Sequence, residues 1–143
     1  MKVTQFGLVE STAATANATT NVTSGVYTPT LTNVTNIASS TTRQATYIRV
    51  GNSVTVAGQV DVDSTTSAGT SSELGISLPV ASGFTTAFQC GGTAVSKIAA
   101  STFVVSQTGG IQADATNDRA SLQYPCIEIG NITMCYTFTY QVI

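Results

Sequence analysis

Apolar and polar residues alternate in short runs from Tyr27 to the end of the sequence, and this pattern constrains the fold most. The last run is the clearest, with Met134, Tyr136, Phe138, Tyr140 and Val142 separated by single, mostly polar residues. A period of two places successive side chains on opposite faces of a β-strand. Gly, Asn, Asp, Ser or Pro interrupts the runs at intervals of about eight to twelve residues. The sequence therefore predicts an all-β, antiparallel β-sandwich that resembles a jelly roll.

Nine strands are predicted, and no stretch between them has the pattern of a long helix. They lie near residues 27–34, 43–50, 53–62, 73–78, 86–96, 102–106, 109–114, 119–124 and 132–142.

The stretch TYIRVGNSVTVAGQVDV, residues 46–62, predicts a β-hairpin. Its apolar residues fall on even numbers in both arms, and residues paired across a hairpin share a face. A two-residue turn at Gly51-Asn52 would place Val50 opposite Ser53 and mismatch the faces. The parity therefore predicts a three-residue loop with Asn52 in the left-handed region, followed by a bulge. Gly58 lies on the apolar face, which predicts either a bulge or a closely packed neighbour.

The composition argues against several functional classes. Charged residues make up 8% of the chain, and there is no His and no Trp. Without His, the common catalytic triads and most zinc sites are excluded. Seven acidic and five basic residues are spread without a basic cluster, so neither nucleic acid nor a membrane is an expected partner. We predict that the protein is not an enzyme and has no cofactor or metal.

Two groups of acidic residues have an alternative functional interpretation. Asp61 and Asp63 are spaced like the start of a calcium loop, but the later Gly and Glu of such a loop are missing, which favours a solvated strand end. Asp114, Asp118 and Arg119 lie within six residues and include a carboxylate pair of the kind that glycosidases use. The turn-forming residues between the two acids favour a turn, with Arg119 paired to either one.

The cysteines Cys90, Cys126 and Cys135 are odd in number and show no metal-binding spacing. If Gly130-Asn131 formed a two-residue turn, Cys126 would lie opposite Cys135, where a disulfide is possible. Reduced thiols are the favoured alternative, because the odd number of cysteines and the absence of an apolar signal segment at the N-terminus indicate a reducing compartment.

The N-terminal 25 residues differ in composition from the rest. Residues 10–25 are small, polar and of low complexity, which predicts a flexible linker. The segment before them has Val3, Phe6, Leu8 and Val9, too few apolar residues to form a core. We therefore predict two parts: residues 1–25 as an anchoring arm with its linker, and residues 26–143 as the β-sandwich module. The four apolar side chains are the predicted partner-binding residues.

Five segments together resemble a β-rich module of tail-fibre-like and other virion surface proteins of tailed bacteriophages. They are GVYTPTLTNVTN, YIRVGNSVTVAGQVDV, ELGISLPVASGF, ADATNDRASLQY and YTFTYQVI. The resemblance spans about residues 25–143 and implies a homotrimer on the virion surface. Because no long stalk precedes the module, we expect a capsid decoration or head-fibre protein. Its arm would bind another virion protein such as the major capsid protein.

An alternative within the same resemblance is a receptor-binding module of a tail fibre that recognises host surface glycans. Tyr27, Tyr47 and Tyr124 are the aromatic residues on which sugars could stack. The absence of Trp makes this alternative the weaker of the two.

Overall fold

The computed structural model describes residues 2–3, 9–10, 22–67, 69–98, 102–127 and 129–143. Within these ranges the chain is all-β and every strand pairing is antiparallel, which confirms the predicted class. The main strands form one continuous curled sheet, a half-barrel, so the division into two sheets that defines a sandwich is not confirmed.

Ten strands build this sheet, and a short two-stranded ribbon precedes it. The ribbon consists of β1 (Lys2–Val3) and β2 (Val9–Glu10). The main sheet contains β3 (Val22–Tyr27), β4 (Leu31–Thr35), β5 (Ile37–Thr42), β6 (Ala45–Val50), β7 (Ser53–Ser64), β8 (Thr70–Ser77), β9 (Cys90–Ile98), β10 (Thr102–Asp114), β11 (Arg119–Cys126) and β12 (Gly130–Gln141). A 3-10 turn, Ala87–Gln89, leads into β9.

The order of the strands in the sheet is β3-β6-β7-β12-β9-β10-β11-β8-β4, with β5 also paired to β7. The first half of β7 pairs with β6 and its second half with β5, and Gly58 lies where one partner replaces the other. A Cβ at Gly58 would lie 2.6 Å from the Tyr136 hydroxyl and 2.8 Å from the Ala45 Cβ. The structure therefore confirms the predicted close neighbour at Gly58.

The core lies inside the curl of the sheet. The even-numbered residues of β7 and β12 face inward as predicted, and Val54, Val56, Met134 and Phe138 are at most 1% exposed. A hydrogen bond of 2.9 Å between the hydroxyl of Tyr124 in β11 and Ser64 in β7 joins strands that are not neighbours in the sheet. The interior is thus filled by side chains from opposite sides of the curl.

The turn between β6 and β7 differs from the prediction. Val50 pairs directly with Ser53, so Gly51-Asn52 is a two-residue turn, and the left-handed residue is Gly51, with φ of 58°. The predicted three-residue loop with a left-handed Asn52 is wrong. The physical reason is that Tyr47 and Arg49 face the interior side of β6, which leaves Ile48 and Val50 on the outer side.

Several predicted strand bounds are wrong. Residues 28–30, predicted as strand, separate β3 from β4, and residues 87–89 form the 3-10 turn instead of the start of β9. β3 occupies residues that the sequence assigned to the linker, and β5 was not predicted. The runs 102–106 and 109–114 form the single strand β10, in which the register with β9 shifts between Val104 and Thr108. A β-bulge shifts the alternation of inward and outward side chains, so the sequence of one strand has the pattern of two separate strands.

One end of the curl is closed by the segment between β8 and the 3-10 turn. Its Phe84 ring packs edge-on against Tyr140 at a centroid distance of 5.8 Å. The Asp118 carboxylate accepts hydrogen bonds from the backbone N–H groups of Ser82, Gly83 and Phe84 at 3.1, 2.8 and 3.2 Å. Asp118 thereby fixes the closing segment to the turn between β10 and β11.

In the ribbon, Val3 pairs with Val9 through the backbone. Phe6, Leu8 and residues 11–21 lie outside the described residues, as do the side chains of Val3 and Val9. In the part of the chain that is described, no helix has the length and apolar character needed to cross a membrane.

Candidate interaction surface

Among the described residues, three rows of side chains on one face of the sheet are largely exposed, and we call this surface the outer face. It crosses seven neighbouring strands, from β3 to β11, a width of about 29 Å along the curl. The strand registers arrange its side chains in rows. The central row is Val26, Thr46, Ala57, Thr137, Thr93, Gly110 and Gln123; the second is Ser24, Ile48, Thr55, Thr139, Gly91 and Gln112; the third is Val22, Val50, Ser53 and Gln141.

The outer face contains no charged residue in these three rows, and nearly all its members are exposed. Its centre is formed by small and hydroxyl-bearing side chains, and a Cβ added at Gly91 or Gly110 would have no atom within 4 Å. Thr55 and Thr139 share a hydrogen bond of 2.9 Å across neighbouring strands. The face can therefore approach another surface closely and form hydrogen bonds without burying a charge.

Four aliphatic residues at one side of the outer face form what we call the aliphatic flank: Val22, Val26, Ile48 and Val50. They are 41%, 58%, 46% and 54% exposed. Their strands are neighbours, and Val22 pairs directly with Val50. An exposed aliphatic cluster of this kind marks an interaction site more often than scattered single residues do.

Phe88, in the 3-10 turn before β9, is 97% exposed. The turn is held by the Gln89 side chain, whose Oε1 accepts hydrogen bonds from the backbone N–H groups of Thr85 and Thr86. A shallow groove of about 560 Å³ is lined by Phe88 and Val50, with Gly91 and Thr139 among its other lining residues. The aromatic ring and the aliphatic flank thus bound the same groove.

β3 is the outermost strand beyond β6, and its sequence VTSGVY contains neither a charge nor a proline. Proteins usually protect an edge strand with charged residues, proline or a covering element. β3 has neither a charged residue nor a proline, so this edge of the sheet also favours association.

Asp61 is 7% exposed, so the predicted solvated strand end is wrong for this residue. Its carboxylate accepts hydrogen bonds from the Arg43 Nε at 3.0 Å and from the Thr133 hydroxyl at 2.6 Å. Burial alone would raise the pKa of Asp61, but these bonds outweigh burial and hold the pKa below its usual value. The stability that Asp61 contributes is therefore present at neutral pH and is lost on acidification.

The predicted turn at Asp114 and Arg119 is confirmed. Residues 115–118 form the turn between β10 and β11, and the Arg119 Nε lies 2.8 Å from the Asp114 Oδ2. Among the described residues, no three acidic or thiol side chains are grouped so that they could hold a metal ion.

The possible pairing of Cys126 with Cys135 is wrong. β11 pairs with β10 and β8, whereas β12 pairs with β7 and β9, so the two residues lie in strands that are not neighbours. Cys126 faces the core, where the Gln107 Nε2 lies 3.8 Å from its sulfur, and Cys135 lies on the other side of the sheet. Burial raises the pKa of Cys90 to about 12, which makes that thiol unreactive.

The three tyrosines proposed for sugar stacking are not on the outer face. Tyr124 is 1% exposed. Tyr27 and Tyr47 pack edge to face with centroids 6.2 Å apart, and the Tyr27 hydroxyl donates to the Ser77 carbonyl at 3.2 Å. The exposed aromatic residue of the groove is Phe88, which sequence reasoning missed because no local pattern distinguishes an exposed Phe from a core one.

Comparison with known proteins provides no family for this chain. No family model, no curated protein and no solved structure matches it.

Proposed function

We propose that this chain is a non-enzymatic structural protein on the surface of a tailed-bacteriophage particle, a capsid decoration or head-fibre protein that acts as a homotrimer. The observation that carries the proposal is the outer face. It is a seven-strand surface without a charged residue in its three rows, bounded by an exposed aliphatic flank and by Phe88.

Such a surface is poorly suited to a protein that remains dispersed as single copies. Charged residues are 8% of this chain, against about 25% in a typical soluble domain. A low surface charge gives little repulsion between copies and permits close packing in an assembly. The resemblance of residues 25–143 to virion surface modules suggests that this assembly is a bacteriophage particle.

The N-terminal arm is the proposed attachment to the particle. Its apolar residues Val3, Phe6, Leu8 and Val9 are too few to form a core, so they would gain burial by binding a groove or sheet edge of the major capsid protein. The arm is joined to the first residue of the edge strand β3, at Val22. Three such arms on one trimer would bind together more strongly than one through effective concentration.

Removal of the arm tests this attachment. We expect a chain that lacks residues 1–21 to keep the fold of its main sheet and its oligomeric state but to lose binding to particles stripped of this protein, because the first strand of the main sheet begins at Val22. The deletion must stop there, since removal of Val22 and its successors would destroy β3. Circular dichroism, light scattering and co-sedimentation with stripped particles measure the three properties.

A full-length variant with Ser in place of Val3, Phe6, Leu8 and Val9 is the matched control, since it keeps the length of the arm. It should fail to bind in the same way. If either variant binds stripped particles as tightly as the natural chain, the attachment surface lies in the module and this role of the arm is refuted.

The alternative, recognition of host surface glycans, is favoured by one feature of the groove. The exposed Phe88 ring lines the same groove as the amide-bearing Asn52 and Gln141, and small-molecule sites commonly combine aromatic side chains with a few such polar groups. A selective hit on a glycan array that Phe88→Ala abolishes would support this alternative, whereas a decoration protein should give no selective hit.

A further inference from the structure

We propose that the outer face is the surface through which copies of this chain bind one another, with Phe88 of one copy packed against the aliphatic flank of the next. This inference rests on the homotrimer of the proposed function and assigns its interface. The occupant of the groove is thus a second copy of this chain.

The arrangement of the two apolar patches supports a ring of copies. In a closed ring each copy uses two different patches, one toward each neighbour. Phe88 and Val50 both line one groove, and the strand order places β7 and β12 between β6, which contains Val50, and β9, which follows the turn that contains Phe88. Phe88 of one copy can therefore pack against the aliphatic flank of one neighbouring copy, while its own flank binds the Phe88 of the other neighbouring copy. The uncharged centre of the outer face then lies toward the three-fold axis of the ring.

The exposed apolar residues supply the centre of one contact in the ring. One contact joins Phe88 of one copy to the aliphatic flank of the next, and these five residues expose on the order of 500 Å², whereas a standard interface buries about 1,600 Å² in total over both partners. The small side chains and glycines of the outer face would supply the remaining area.

The absence of charge favours a second copy over a foreign partner. Patches of like charge repel when two copies approach, and the three rows of the outer face carry no charge. Recognition of a different protein usually depends on complementary charges, which this face does not offer. The association should therefore be insensitive to salt.

Charged substitutions test the interface. We expect the natural chain to be a trimer at both low and high salt, and Phe88→Asp and Val50→Asp each to weaken association about thirtyfold or more, because each would bury a charge in an apolar contact. Both residues are exposed within one copy, so the fold should survive. Analytical ultracentrifugation gives the dissociation constants, and circular dichroism checks the fold.

Ile129→Asp is the matched control. Ile129 is 70% exposed, but it lies far from the aliphatic flank along the strands. The next residue, Gly130, pairs with Ser64 at one end of β7, whereas Val50 pairs with Ser53 at the other end. This variant should remain a trimer with unchanged affinity.

The outcomes separate this inference from the proposed function. If the natural chain is a trimer and neither Asp variant at Phe88 or Val50 weakens it, the interface assignment is overturned and the trimer stands. If the natural chain is a monomer at every concentration, both are overturned. A selective glycan that Phe88→Ala abolishes would assign the groove to a sugar and also overturn the inference.

Discussion

Among Gly→Ala substitutions at the described glycines, Gly92→Ala should destabilise the fold most. Gly92 lies in β9 opposite Phe138 of β12, on the interior side of the sheet. A Cβ there would lie 2.3 Å from the Thr137 carbonyl oxygen and 2.6 Å from the Phe138 Cα. Both are backbone atoms of a paired strand, so they cannot move without breaking the ladder. We expect a loss of about 3 to 5 kcal/mol in the free energy of unfolding.

Gly91→Ala is the matched control for this experiment. Gly91 is the preceding residue of the same strand, is exposed, and has no atom within 4 Å of an added Cβ. The substitution should be neutral or should stabilise by about 0.5 kcal/mol, because Ala loses less backbone entropy on folding than Gly. Denaturant unfolding of both variants at one protein concentration measures the difference. Equal stabilities would show that β9 and β12 are not packed as described.

The second large effect is expected at Asp118. Asp118→Ala removes the acceptor of the three backbone N–H groups from Ser82 to Phe84, and the Ser82 and Phe84 residues are at most 5% exposed. Buried donors without partners are costly, and hydrogen bonds to a carboxylate are stronger than neutral ones. We expect a loss of about 3 kcal/mol and faster proteolysis of the closing segment. Thermal unfolding and limited proteolysis measure the two effects.

Two further variants separate the hydrogen bonds from the backbone conformation, since Asp118 has a φ of 48°. Asp118→Asn keeps an acceptor oxygen and tolerates the left-handed region, so it should lose only about 1 kcal/mol. Asp118→Gly relieves the backbone but removes the acceptor, so its stability should remain near that of the Ala variant. If the Gly variant were as stable as the natural chain, the hydrogen bonds would not be what holds the closing segment.

The strands and their inner faces could be predicted where one face of a strand is fully buried. In β12 the residues Met134, Tyr136, Phe138 and Tyr140 follow a strict alternation, and all four are at most 3% exposed. Gly58 was also predicted correctly, because a glycine in an otherwise apolar row indicates a neighbour that approaches the backbone. The alternation of apolar and polar residues identifies the buried face in these cases, because each inward-facing side chain must itself be apolar or small.

The pairing of the strands could not be predicted in the same way. A two-residue turn at Gly130-Asn131, which the sequence left open, would have placed β11 beside β12, whereas β12 lies between β7 and β9. Alternation shows which side of a strand is buried but does not identify a partner that is distant in the sequence.

The outer face was missed for a related reason. The parity argument assigned Ile48 and Val50 to the core because apolar residues are usually buried, and they are instead 46% and 54% exposed. Burial of apolar residues is a tendency and not a requirement, and apolar residues that remain exposed on the surface of a chain are exceptions to it. The error in the hairpin register and the failure to find the candidate site therefore have the same cause.

Electron cryomicroscopy of purified particles would show whether this chain is a surface protein of the virion. We expect this protein in the particles in a fixed ratio to the major capsid protein, as trimeric density on the outside of the shell. The outer faces should line the three-fold axis of that density, with the N-terminal segments directed toward the shell. Purified particles that contain none of this protein would contradict the proposed function.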